Sequence, residues 1–290
     1  MHRVGVCSWS LRPKGPVDLV ERLRACGVAT VQLALDPIRD GRWDEAETVA
    51  AFGAAGIEIA SGMMAMKGED YSTLGSIRRT GGVRSDEHWS ENLEAAGANA
   101  ELARRLGIGL VTFHAGFLPH EPGSPLRAEM LERVRDIADE FAQRGVRVAL
   151  ETGQETAATL LGVLEELRGV TGVEGAAYVG VNFDPGNMIL YGMGDPVEAL
   201  RVLAPHVAQV HIKDALPARE AGTWGEEVTA GTGSVDWERF FAVVRDALPT
   251  VGLMIEREAR EDRVSDIRAA AAMLRSRLGA AAHITEPRHG

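Results

Sequence analysis

The chain has 290 residues, 45% of them hydrophobic, and a formal net charge of −11. That length fills one large core or two small ones, and the acidic balance shows no basic stripe of the kind that grips a nucleic-acid backbone. Two cysteines, Cys7 and Cys26, are too few for a disulfide framework, the opening MHRVGVCSWSL does not read as a secretory signal, and no apolar run approaches a membrane span of roughly 20 residues, so a cytoplasmic globular enzyme without nucleic-acid or membrane partners is expected.

The first apolar run, Val4–Ser8, predicts a strand, and Val17–Cys26, just after Pro16, predicts a helix. A strand over Thr30–Ala34 follows, then a helix over Trp43–Ala55 that stops before Gly56. Strand Ile57–Ser61 leads into a long connection, Met63–Glu87. Helix Ser90–Leu106 ends at Gly107 and helix Leu126–Arg144 at Gly145, each glycine suited to the left-handed position after a helix. Strand Leu110–His114 lies between them. Next come strand Arg147–Glu151, helix Glu155–Leu167, strand Tyr178–Asp184, helix Pro196–Leu203 and strand Ala208–Ile212. A second long connection, Lys213–Val235, precedes helix Asp236–Leu248, strand Leu253–Glu256 and helix Val264–Leu278. Residues 279–290 read as a flexible tail.

Strands and helices in strict alternation imply a parallel sheet. Eight such pairs at this length fit a single closed (β/α)8 TIM barrel over residues 1–278, a fold of about 250 residues. The rival, an open doubly wound sheet, lacks its G-x-G-x-x-G turn after the first strand. No Pro/Gly/Ser-rich linker divides the chain. The two long connections have the length of lids or binding loops.

Four successive strands end on possible metal ligands: Glu151, Asp184, His211 and Glu256. A TIM barrel carries its active site at those ends, so the four side chains can converge. Alone, an acid at a strand end is more often a helix cap or a solvated edge. Together, three carboxylates repel; two charges 4 Å apart cost about 4 kcal/mol at an effective dielectric near 20. Either protons are taken up or a cation sits among them. Mostly oxygen donors favour Mn2+, Mg2+ or Co2+, with Zn2+ also open.

The segments ALETG, VNFDPGN, VHIKD and MIERE resemble the xylose isomerase-like TIM barrel superfamily, the sugar phosphate isomerase/epimerase group that includes ketose 3-epimerases and keto-inositol isomerases and dehydratases. The resemblance is strongest from His114 to Glu258. It implies a metal site of Glu151, Asp184, His211 and Glu256, with Glu151 and Glu256 also moving protons. It implies a divalent-metal-dependent isomerase or epimerase of a sugar, sugar phosphate or polyol, working by proton abstraction beside a carbonyl through a metal-bound enediolate. The alternative is a lyase or dehydratase on a keto-inositol or 3-keto sugar, which shares that first step. A non-catalytic sugar-binding barrel and an apurinic endonuclease-like enzyme rank lower. Two departures bear on this. Asn187 stands where ketose 3-epimerases carry a histidine near the substrate carbonyl, and the D-x-H pair of the endonucleases is missing after the seventh strand.

Other residues have two readings each. His114 and Asn187 could meet a substrate hydroxyl or be structural. Lys213, two residues past His211, could polarise a substrate oxygen or pair with a carboxylate, and Glu258 stands in the same relation to Glu256. Trp9 could wall the substrate or simply pack. Arg219 could reach a distal hydroxyl or phosphate, though an ordinary surface arginine is the commoner case. Ser234, in GTGSVDW, suits a helix N-cap. Helices Ser90–Leu106 and Leu126–Arg144 offer faces for a homo-oligomer, with nothing to set them apart from ordinary barrel helices.

Overall fold

The structure, a computed structural model, describes residues 1–168, 179–220 and 222–288. The main strands are β1 (His2–Cys7), β2 (Thr30–Ala34), β3 (Glu58–Met63), β4 (Leu110–Phe113), β5 (Arg147–Glu151), β6 (Val179–Phe183) and β7 (Val207–Ile212). A hairpin of β8 (Asp214–Leu216) and β9 (Glu226–Val228) then precedes β10 (Gly252–Ile255). Each main strand pairs in parallel with the next. β10 pairs with both β7 and β1, matching Val4 with Leu253 and Val6 with Ile255. That last pairing closes the ring, so the protein is a single (β/α)8 barrel. Tyr178, expected to start the sixth strand, lies outside the described residues.

Local chemistry sets the helix boundaries. Asp44 accepts a hydrogen bond from Glu47 N and starts the helix Glu45–Ala55, which Gly56 ends at φ +66°. Gly107 and Gly145 take the expected left-handed conformation after their helices, at φ +70° and +72°. The helix Trp237–Ala247 is capped by Asp236, which accepts from Arg239 N, and not by Ser234. Ser234 instead gives its own N–H to Ala215 O. The long connection after β3 contains a helix, Leu74–Thr80, started by a reciprocal Thr73–Ser76 capping box. A further short helix, Pro185–Tyr191, follows β6 directly.

The strands alternate in the usual period of two. Val4, Val31, Val111, Val148, Val181 and Val210 face outward and join the hydrophobic core under the helices. The residues between them face the barrel axis, and many are polar. Ser61 Oγ donates to Gln209 Oε1 across the barrel at 2.6 Å, and Gln209 Nε2 donates to Asn182 Oδ1 at 3.1 Å. Gln32 Nε2 donates to Thr112 Oγ1 at 2.8 Å. TIM barrels usually fill this space with branched apolar side chains. Here buried amides and hydroxyls occupy it and satisfy one another, as they must out of water.

The segment after residue 278, expected as a flexible tail, makes backbone bonds to the barrel as far as Arg288. Residues Ala282–His283 form a short strand, β11, parallel to β1, and Ala29 N donates to Thr285 O. Arg288 N donates to Ala55 O at 2.8 Å. These backbone bonds hold the segment against the end of the barrel where β1 begins.

Candidate metal centre and active site

Glu151 is the last residue of β5, and His211 lies one residue before the end of β7. Asp184 and Glu256 immediately follow β6 and β10. Their neighbours Leu150, Phe183, Ile212 and Ile255 point into the outer core, so the period of two turns all four ligand-type side chains inward. One donor atom from each lies within 4.8 Å of every other, and all four residues are buried. His211 Nδ1 is 3.4 Å from Glu151 Oε1, from Asp184 Oδ2 and from Glu256 Oε2. Its Nε2 lies 2.8 Å from the acceptor Gln32 Oε1 and 3.0 Å from Asn182 Nδ2, while Nδ1 faces the carboxylates.

Each carboxylate is held in place. Asp184 also caps the helix Pro185–Tyr191: its Oδ1 accepts from Asn187 N at 2.8 Å. Its other oxygen, Oδ2, is buried without a hydrogen bond. Glu151 Oε1 accepts from Asn187 Nδ2 at 2.9 Å, and Oε2 from Asn182 Nδ2 at 3.3 Å. Glu256 Oε1 accepts from Trp9 Nε1 at 2.6 Å, and Oε2 from Lys213 Nζ at 2.9 Å. Lys213 also reaches Glu258 Oε2 at 2.9 Å. It passes so close to Gly186 that a Cβ there would lie 2.7 Å from Lys213 Cγ, which requires the glycine of the PGN turn.

Burial and charge compete in this cluster. Burial pushes the Asp184 carboxyl up to about 6, with Lys213 and His211 pulling it back only in part. Burial would raise Glu256 too, but Lys213 and His211 hold it well below the usual range. Glu151 is lowered more mildly, its burial offset by His114 and His211. Burial opposes the charge on His211 and on Lys213, yet the surrounding carboxylates hold both well above their ordinary values. The carboxylates thus favour the charged forms of both the His211 imidazole and the Lys213 amine.

A cavity of about 440 Å³ opens over the cluster. Trp9, His114, Asn187, Lys213, Glu256 and Glu258 line it. The loop after β3 adds Glu69 and Tyr71, and the loop after β7 adds Trp224 and Glu227. His114 Nε2 is 3.7 Å from Glu151 Oε1.

The xylose isomerase-like TIM barrel family matches residues 20–277. The chain belongs to this family. The crystal structure of a xylose isomerase domain protein from Planctomyces limnophilus is 33% identical, has a TM-score of 0.77, and covers 89% of this chain and 90% of its own. That of 3-keto-D-glucoside 4-epimerase from E. coli is 17% identical with a TM-score of 0.69, covering 95% and 100%, a likeness of fold. The 3-oxo-isoapionate decarboxylase of Pectobacterium atrosepticum (strain SCRI 1043) is 25% identical over 158 residues, 53% of this chain and 54% of that enzyme. The match therefore spans about half the length of that relative.

In this xylose isomerase-like barrel, nine of the ten residues singled out from sequence stand in the cluster or line its cavity. The tenth, Arg219, is exposed and is not among the described lining residues. Trp9 does more than pack, since its indole N–H holds Glu256. Asn187 holds Glu151 and also borders the cavity. The sequence reading missed Gln32, Asn182 and Gln209, whose signal was a polar residue at an inward position of an apolar strand. It also missed Asp214. Buried at the start of the long loop, Asp214 accepts from the N–H groups of Ala215, Gly231, Gly233 and Val235 and from the Trp237 indole.

Proposed function

We propose that the protein is a divalent-metal-dependent isomerase or epimerase of a sugar or polyol, with the ion held by Glu151, Asp184, His211 and Glu256. One observation carries the reading: four ligand-type atoms converge in a buried pocket, and one of them, Asp184 Oδ2, has no hydrogen-bond partner. Donors about 2.1 Å from a shared ion stand about 3.0–3.4 Å apart. The three 3.4 Å separations around His211 Nδ1 fit that spacing. Three carboxylates and one imidazole suit Mn2+, Mg2+ or Co2+, and Zn2+ also accepts such a set. When bound, the ion polarises a substrate carbonyl and neutralises the charge that develops on its oxygen.

The chain's own groups move the protons. Glu151 and Glu256 stand on β5 and β10, the outer two of the four strands that bear the cluster. They flank a substrate from two sides. One removes the proton from the carbon beside the carbonyl, and the other returns one. Return to the opposite face of that carbon inverts it, and return to the neighbouring carbon isomerises. Glu256 is the more tightly held carboxylate, which favours Glu151 as the base. Lys213 and His114 are within the same cavity to steady substrate oxygens.

A second reading, a lyase on a keto-inositol or 3-keto sugar, is favoured by Lys213. Its ammonium group could deliver a proton to a leaving hydroxyl, and one relative is a decarboxylase by name. The test is incubation of the Mn2+-loaded protein in heavy water with ketoses, 3-keto sugars and keto-inositols. Deuterium beside the carbonyl, with mass otherwise unchanged, is the expected result. Loss of water selects the lyase. Absence of exchange with metal bound removes the catalytic reading. Metal binding itself should release about one proton, from His211, measurable by calorimetry in buffers of different ionisation enthalpy.

A further inference from the structure

We propose that the cavity takes an uncharged polyhydroxy carbonyl compound and discriminates against its phosphorylated counterpart. This rests on the reading of the site as a sugar-converting metal centre, and adds the charge class of the substrate.

Phosphate is recognised by arginine or lysine, by a helix N-terminus, or by a nest of backbone N–H groups. In TIM barrels a phosphate site is frequently built from the loops after the seventh and eighth strands and a nearby helix N-terminus. Here the loop after β7 does form a nest, but the chain's own Asp214 fills it. Gly231 N and Gly233 N donate to Asp214 Oδ2 at 2.9 and 3.0 Å, and Val235 N donates to Oδ1 at 3.1 Å. A Cβ at Gly233 would lie 2.2 Å from Asp214 Oδ1, so nothing else fits between loop and carboxylate. The helix beginning beside it, Trp237–Ala247, is capped by Asp236.

The cavity wall offers no substitute. Lys213 is the one lysine or arginine among its described lining residues, and both its partners are carboxylates, Glu256 and Glu258. Asp36, Glu69 and Glu227 add further acids. Two of these acids already hold arginines: Asp36 pairs with Arg39, and Glu227 with Arg257, which also binds Asp266. Away from the metal centre, a phosphate would meet these carboxylates, with Lys213 already engaged by two of them among the described lining residues.

What the wall does offer suits a neutral sugar. Trp9, Tyr71, Tyr191 and Trp224 present aromatic surface, with Tyr191 and Trp224 edge to face at 5.1 Å. Glu69 is a built acceptor: its Oε1 takes the N–H of Gly82 at 2.9 Å. Gly82, at φ +64°, lies so near Ala115 that a Cβ there would be 2.1 Å from its carbonyl. Aromatic faces meet the C–H faces of a sugar, and carboxylates accept its hydroxyls.

The test is calorimetric titration of the Mn2+-loaded protein with D-fructose and with D-fructose 6-phosphate. The expected result is saturable binding of the free ketose, tighter by about ten-fold or more than its phosphate at low salt. The gap should narrow several-fold in Glu69→Gln/Glu258→Gln and on adding salt, which screens the repulsion. Equal or tighter binding of the phosphate overturns the proposal, as does failure of the free ketose to bind, or a gap that neither the variant nor salt changes. Failure of the metal-centre reading shows separately, as absence of Mn2+ binding before any sugar is added.

Discussion

The two halves of the barrel wall share one backbone geometry and end differently. β5, β6, β7 and β10 deliver Glu151, Asp184, His211 and Glu256 to the cluster. β1 to β4 and the residues just after them bring Trp9, Ala34, Asp36, Met63 and His114 to the same cavity, and none of these five belongs to the four-residue cluster. The four-residue cluster is gathered on one half, while the other supplies apolar surface, one imidazole and, from its loops, the carboxylates of Asp36 and Glu69. One layer deeper the distinction disappears, because Gln32 of β2 reaches across to His211 of β7. The half that bears the cluster is therefore aimed in part by the half that does not.

The strongest way to break this comparison is to neutralise the flanking acids. Glu151→Gln and Glu256→Gln should each lower turnover by about 10²–10⁴-fold, the usual worth of a positioned acid or base. Steady-state rates on whichever substrate exchanges deuterium check this, and an unchanged rate removes the residue from the mechanism.

The next effect concerns stability. Burial pushes the carboxyl of Glu155, in the loop after β5, from 4.5 up to about 8. Between those values the folded protein keeps a proton that the unfolded chain has lost. Stability therefore falls as pH rises through that window, and stays low above it. Glu155→Gln should remove the slope: it should be more stable than wild type by roughly 3–5 kcal/mol near pH 9 and equal to it below about pH 4. Urea melts across that range decide it.

A subtler probe sits on the half without the cluster. Gln32→Met keeps the volume but removes the acceptor beside His211 Nε2. Metal affinity should fall by about 10–100-fold, as for other partners that orient a ligand. An unchanged affinity by calorimetry would show the two halves to be independent. Smallest of all, Arg219→Ala should change neither turnover nor stability beyond about 0.5 kcal/mol, since the side chain is exposed and outside the cavity lining.

Much of the fold was legible because each barrel element announces itself locally. The predicted strand Arg147–Glu151 and helix Pro196–Leu203 match the structure residue for residue. The four clustered side chains were legible because each follows an apolar run that fixes its direction. The helix Leu74–Thr80 and the β8–β9 hairpin were not, since short elements in long loops owe their shape to distant contacts. Asp236 and Ser234 are two residues apart and both are good caps, so sequence alone could not rank them. The role of Asp214 was hidden for a related reason: its partners come from backbone 17 to 21 residues away. The pairing of the last segment was not legible because β11 has only two residues, too few to show any period.

The pairing of β1 with β10 also sets an order of events during synthesis. Val4 waits for Leu253, and Trp9 for Glu256, 247 positions later. Until β10 has left the ribosome, β1 lacks one neighbour and the cluster lacks its fourth member. A nascent chain can present Glu151, Asp184 and His211, but not the finished set. The same contact that completes the wall thus completes the four-residue cluster.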